Sequence, residues 1–161
     1  WSYMKTLPPE SAASQPHEIG FPFNIRRSLG LWKLLYFDPS PSPIVPVPAD
    51  DAGAMRGRYL VEGPGHCGEC HTPRDALGGP DYADWLAGAP SLDGPGKIPD
   101  ITPKGLDWSA GDIAEYLNSG FTPDYDSAGG AMVEVIANTS QLPPEDRDAI
   151  AAYLKVVPGV N

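Results

Sequence analysis

Cys67-Gly68-Glu69-Cys70-His71 is the stretch on which the reading of this sequence turns. Two thiols at this spacing can add to the two vinyl groups of one haem, and the adjacent His then lies beneath the iron with an imidazole nitrogen to offer. Rival readings are short of material. A zinc site wants four ligands, and the chain has these two Cys plus His17 and His66 as spare donors. A thioredoxin-like dithiol needs a strand–helix–strand setting that the flanking sequence lacks. A plain disulfide stays open. The expectation is one covalent haem c on Cys67 and Cys70, with His71 as an axial iron ligand.

The second axial ligand decides what such a haem can do. Met4, Met55 and Met132 are the candidates, with His17 and His66 behind them. Met55 lies in the helix expected to lead into the motif, where a Met is usually core. Met4 falls in what reads as the end of an earlier domain. His66 abuts Cys67 and is too close to reach the opposite face of the ring. Met132 follows the Gly129-Gly130 pair and precedes the last helix, in what reads as a loop. Met132 is therefore the expected ligand; closing both iron positions suits electron transfer and raises the potential.

Working outward, Asp51 to Val61 reads as a first helix, stopped by Gly63-Pro64-Gly65. Residues 72–107 are loop-rich, punctuated by Pro73, Gly78-Gly79-Pro80, Gly94-Pro95 and Pro99. Ser109 to Leu117 makes a short helix with Ser109 as its N-cap and Asp112 three residues on, and Gly120 stops it. Pro143-Pro144-Glu145-Asp146 starts a last helix, whose Ile150, Tyr153, Leu154 and Val157 share one face. No alternating pattern is long enough for a sheet. The fold class is all-α: a helical domain over 51–161 built around one haem.

What precedes it is different. Residues 9–50 read as a connector, extended and stiff through Pro39-Ser40-Pro41-Ser42-Pro43 and on to Pro46 and Pro48. Within it, Ser28 to Phe37 is a short, very apolar helix, either packed on the chain's own domain or a docking face for another domain or subunit. Tyr3-Met4-Lys5-Thr6-Leu7-Pro8 echoes Tyr153-Leu154-Lys155-Val156-Val157-Pro158. On that echo residues 1–8 are expected to be the tail of an earlier, similar domain, since lost.

Composition fits a chain that borrows part of its core. With 20 Pro and 18 Gly in 161 residues, it must run through many turns. The charge is lopsided: residues 1–49 carry a net +1 and residues 50–161 a net −11. Such a surface repels nucleic acid and either suits a basic protein partner or serves solubility alone. No apolar run approaches the length of a membrane helix. The opening Trp1-Ser2-Tyr3 is not a secretory leader, so a processed or truncated product is expected.

These residues also carry a resemblance. Arg56-Gly57-Arg58-Tyr59-Leu60-Val61, then Gly63 through His71-Thr72-Pro73-Arg74, resembles class I cytochromes c. More narrowly, the chain is similar to the C-terminal haem domain of multihaem cytochrome c subunits of bacterial periplasmic alcohol, gluconate, sorbitol and aldehyde dehydrogenases. Pro99-Asp100-Ile101-Thr102-Pro103, Trp108-Ser109, Asp112-Ile113, Gly120 and Gly130-Ala131-Met132 follow that family's order, with Asp100 where Asn is usual. Phe21-Pro22-Phe23-Asn24-Ile25-Arg26 and Trp32-Lys33 match its connectors.

The resemblance implies roles for further residues. The Pro73 carbonyl would accept a hydrogen bond from the His71 ring. Arg74 and Trp108 would face the haem propionates. Gly57 and Tyr59 would meet Tyr153 where the first and last helices cross. The family's members bear two or three haems, whereas this sequence has one attachment motif.

The functional expectation is a one-electron carrier with no chemistry on a substrate. Electrons would arrive from a dehydrogenase subunit or another haem and leave to a quinone, another cytochrome or an oxidase. Haem c is attached outside the cytoplasm, so the periplasm is the expected compartment. The alternatives are an open-site haem enzyme, of peroxidase or thiosulfate-oxidising type, and a haem sensor.

Overall fold

The computed structural model describes residues 1–39, 43–91 and 94–159, and divides into two compact units, Trp1–Pro39 and Ser40–Asn161. In the first unit Met4–Thr6 forms a 3-10 turn and Ser28–Tyr36 a helix, α1. The helix forms where expected, but it buries no residue; Leu34 is 81% exposed. Tyr3, Met4 and Leu7 are exposed, whereas the residues they echo, Tyr153, Leu154 and Val157, are buried. Residues 40–42 of the Pro-rich stretch lie outside the described residues.

The second unit is a helical domain of five described helices: α2 (Ala52–Glu62), α3 (Gly68–His71), α4 (Ala110–Ser119), α5 (Met132–Thr139) and α6 (Pro144–Val156). A two-residue antiparallel ladder, β1 (Ala89–Pro90) with β2 (Lys97–Ile98), crosses the loop-rich middle, where no strand was expected. The unit also takes in residues 43–50, assigned above to the connector. Val45 is buried in its core, with Ile44 and Val47 packed alongside.

Why α2 and α6 sit against each other is plain in the sequence. The Asp51 carboxylate caps α2 by accepting the Ala54 N–H at 2.9 Å. Ala54, Gly57, Leu60 and Val61 form its buried face, at helical spacing. At the crossing there is no room for a side chain: a Cβ on Gly57 would lie 1.9 Å from the Ala149 carbonyl oxygen and 2.7 Å from the Tyr153 Cβ. Pro144 and the acids Glu145 and Asp146 open α6, and Ile150, Tyr153, Leu154 and Val157 are buried as their spacing predicts. Tyr59 does not join this contact. It is 61% exposed under the Arg56 guanidinium, because two residues along a helix from Gly57 it points to the opposite side.

α4 packs on α6, and α5 on α4. Ser109 and Asp112 form a reciprocal capping box at the start of α4, and Gly120 ends it with φ 79°. α5 docks at its C-terminal end. Thr139 Oγ1 donates to the Leu117 carbonyl at 2.7 Å, and the buried Arg147 guanidinium donates to the carbonyls of Thr139 (3.4 Å), Ser140 (3.2 Å) and Leu142.

Two predictions follow from the helix contacts. Gly57→Ala forces α2 and α6 apart and should destabilise the domain by about 1–3 kcal/mol, read from denaturant unfolding. The hydrogen bonds from Ser109 hold the Asp112 carboxyl below its ordinary range. A depressed pKa stabilises above the unfolded value, about 3.9, and is lost as pH falls through the folded one. The gap in melting temperature between the unaltered protein and Ser109→Ala should therefore be widest near neutrality and narrow in acid, where the bond from the Asp112 N–H to the Ser109 hydroxyl still counts.

Candidate haem-attachment site

The end of α2 delivers the attachment motif. The Gly65 N–H donates to the Leu60 carbonyl at 2.7 Å and the Cys67 N–H to the Val61 carbonyl at 3.3 Å, so the chain turns tightly and enters α3. Within that single turn the His71 N–H reaches the Cys67 carbonyl at 3.0 Å. The spacing puts Cys67 and Cys70 on one side of the turn. Both are free thiols, Cys67 half-buried and Cys70 exposed. Burial pushes the Cys67 thiol up to about 11.

His71 is buried, and its ring is oriented by one contact. Nδ1 lies 2.8 Å from the Pro99 carbonyl oxygen. A carbonyl only accepts, so Nδ1 carries the hydrogen and Nε2 keeps its lone pair. Burial lowers the His71 pKa, which keeps the imidazole neutral. The backbone is held as well, by the Gly88 N–H on the His71 carbonyl at 2.7 Å. Two thiols on one side of a turn and a neutral imidazole with Nε2 bare are a donor set that fits haem c. Among the described residues, no three His, Cys, Asp or Glu side chains gather as a metal site of their own.

The expected Pro73 contact is corrected: the His71 ring bonds Pro99 instead. The Pro73 carbonyl accepts from the Asp81 N–H at 2.9 Å, because the chain after Thr72 runs out extended and turns that carbonyl into the loop. Pro99 stands just past β2, which the ladder with β1 brings over the turn. Arg74 ion-pairs with Glu69 and donates to the Gly78 carbonyl at 2.9 Å, closing the 74–80 loop. Trp108 is half-buried, edge-on to Tyr116 with ring centroids 5.2 Å apart.

Met132 is not in a loop. It is the first residue of α5 and is half-buried, four residues before the buried Ile136 and thus on the same helical face. The premise that set it apart from packing residues therefore fails. Met55 is half-buried in α2, Met4 is exposed, and His66 and His17 are exposed. The structure gathers Cys67, Cys70 and His71 on one turn; Met132, Arg74 and Trp108 stand on other elements.

Sequence reasoning missed the residues that back the turn. The Thr72 Oγ1, fully buried, accepts the Leu86 N–H at 3.1 Å. Trp85 stands close behind the motif: a Cβ on Gly68 would be 2.1 Å from its ring. An unattributed Trp in a loop gave no sign of this.

A family model for cytochrome c matches residues 54–158, the stretch that contains the attachment turn, the β1–β2 ladder and Met132. The chain belongs to the cytochrome c family. Its relatives share more than the domain. A diheme cytochrome c-type protein of Cereibacter sphaeroides is 61% identical over 160 residues, covering 99% of this chain and 53% of that protein. The fructose dehydrogenase cytochrome subunit of Gluconobacter japonicus is 40% identical over 165 residues, covering 98% and 33%. The cytochrome c subunit of the quinone alcohol dehydrogenase of Gluconacetobacter polyoxogenes is 37% identical over 175 residues, covering 98% and 36%. This cytochrome c thus spans about half the length of the first relative and about a third of the other two.

Gly68→Ala should push Trp85 off the attachment turn. The expected outcome is a lower ratio of bound haem to protein, measured by pyridine haemochrome, together with a lower melting temperature.

Proposed function

We propose that this cytochrome c chain is a one-electron carrier with one haem c on Cys67 and Cys70, His71 and Met132 as axial ligands, working in the periplasm within a dehydrogenase assembly. The observation that carries the reading is the state of His71: buried, neutral, and tied through Nδ1 so that Nε2 is bare beside two free thiols. When bound, the haem supplies exchange of one electron between Fe(III) and Fe(II). The protein's part is to hold the imidazole, to exclude water, and to fix the ring by its two thiols.

Support for Met132 comes from the chain around it. It is half-buried at the start of a helix, two residues after Gly130 with φ 57°, so its thioether leads the α5 helix rather than hanging from its middle. Support for the assembly comes from relatives named as dehydrogenase cytochrome subunits and from the acidic charge of residues 50–161, which suits a basic partner surface. The partners proposed are a dehydrogenase subunit, another cytochrome, an oxidase or quinone. Among the described residues no helix is long and apolar enough to cross a membrane.

The test is the visible spectrum of the reduced protein with and without carbon monoxide. A haem c spectrum unmoved by the gas is expected. Met132→Ala should then take up carbon monoxide and show a lower midpoint potential, since a sulfur ligand that favours Fe(II) has gone. If the unaltered protein already binds the gas, the carrier reading gives way to an open-site enzyme or sensor.

A further inference from the structure

α3 is one turn long, and a single turn has almost no stability of its own in water. Whatever holds it holds the two thiols and His71. The segment 85–88 meets this turn at three points. The Trp85 ring covers Gly68, the Leu86 N–H donates to Thr72 Oγ1, and the Gly88 N–H donates to the His71 carbonyl. Trp85 itself is 8% exposed and Leu86 is fully buried.

The other side of Trp85 is not left to packing alone. Its indole N–H donates to the Tyr153 hydroxyl at 3.2 Å, and that hydroxyl donates to Glu62 Oε1 at 2.6 Å. Burial, and then the Glu62 contact, pushes the Tyr153 pKa far above its ordinary value, so the hydroxyl keeps the proton it donates. The same Glu62 oxygen accepts the Val45 N–H at 3.2 Å, and Oε2 takes a longer contact from the Ile44 N–H at 3.5 Å. Tyr153 stands on α6 and Glu62 ends α2, so the chain of bonds spans the central helix pair. It runs from the Pro-rich segment to the back of the haem-attachment turn.

We propose that Trp85 is a positioning residue for the haem-attachment turn, and that Tyr153 and Glu62 hold it there and tie it to the Ile44–Val45 backbone. The proposal rests on the function reading above, since it concerns the haem that Cys67 and Cys70 would hold. Its chemistry is ordinary. A buried indole N–H that loses its acceptor is left with an unmet hydrogen bond, and the ring moves to find another. Because Gly68 leaves no gap, a displaced ring presses on the turn and alters how His71 Nε2 meets the iron.

The experiment uses the full chain with its haem. Trp85→Phe keeps a ring and removes the N–H; Tyr153→Phe keeps the ring and removes the hydroxyl. Both should shift the midpoint potential in the same direction, and the double variant should shift no further than the larger single one. Glu62→Ala should behave alike, while Glu62→Gln, which can still accept from Tyr153 and Val45, should restore much of the original potential. Paramagnetically shifted proton signals of the His71 ring should move with the potential. If melting temperatures fall while potential and His71 signals stay put at full haem content, the network is structural only and the proposal fails. If the unaltered protein carries no haem, the function reading fails first, and this proposal with it.

Discussion

The crossing of α2 and α6 at Gly57 is the constraint on which the rest of the domain depends. The absent side chain lets the Ala149 carbonyl come within contact of the α2 backbone, and this closeness fixes how the two helices sit against each other. The end of α2 supplies the Leu60 and Val61 carbonyls that turn the chain into the motif, and it places Glu62 beside Tyr153. α6 supplies Tyr153, and through it the acceptor for Trp85. The attachment turn is thus shaped from both sides by one close approach more than ten residues away along the chain from His71.

Much of this was legible before the structure. The cap at Ser109, the stop at Gly120 and the buried face of α6 all follow from residue types whose physical preferences are strong and local, while the close contact of Gly57 with Tyr153 came from the family resemblance. The attachment motif is legible for the same reason, since its spacing is its chemistry. What escaped were contacts made by groups that every residue owns. The partner of His71 is a backbone carbonyl, and only the ladder of β1 and β2 brings that of Pro99 rather than Pro73 to the ring. Tyr59 was placed on the wrong side by reading a motif as a unit instead of by helical angle.

Met132 shows the opposite failure. A glycine pair upstream made a loop plausible, but Met132 to Ile136 is apolar enough, with no further breaker, to continue as helix. Residues 43–50 were read from their prolines as connector, whereas Val45 is core. Proline fixes backbone angles and forbids helix, but it does not keep its neighbours from being buried.

The fastening of α5 is uneven, and this has a mechanical consequence. Its last turn is pinned by Thr139 and by a buried guanidinium reaching three carbonyls. Its first residue follows two glycines around which even a methyl group would meet nothing within 4 Å. A rod clamped at one end and slack at the other moves most at the slack end. In this domain His71 sits on tightly bonded scaffold while Met132 is carried at the tip of a lever, so the placing of one can drift in evolution without disturbing the other.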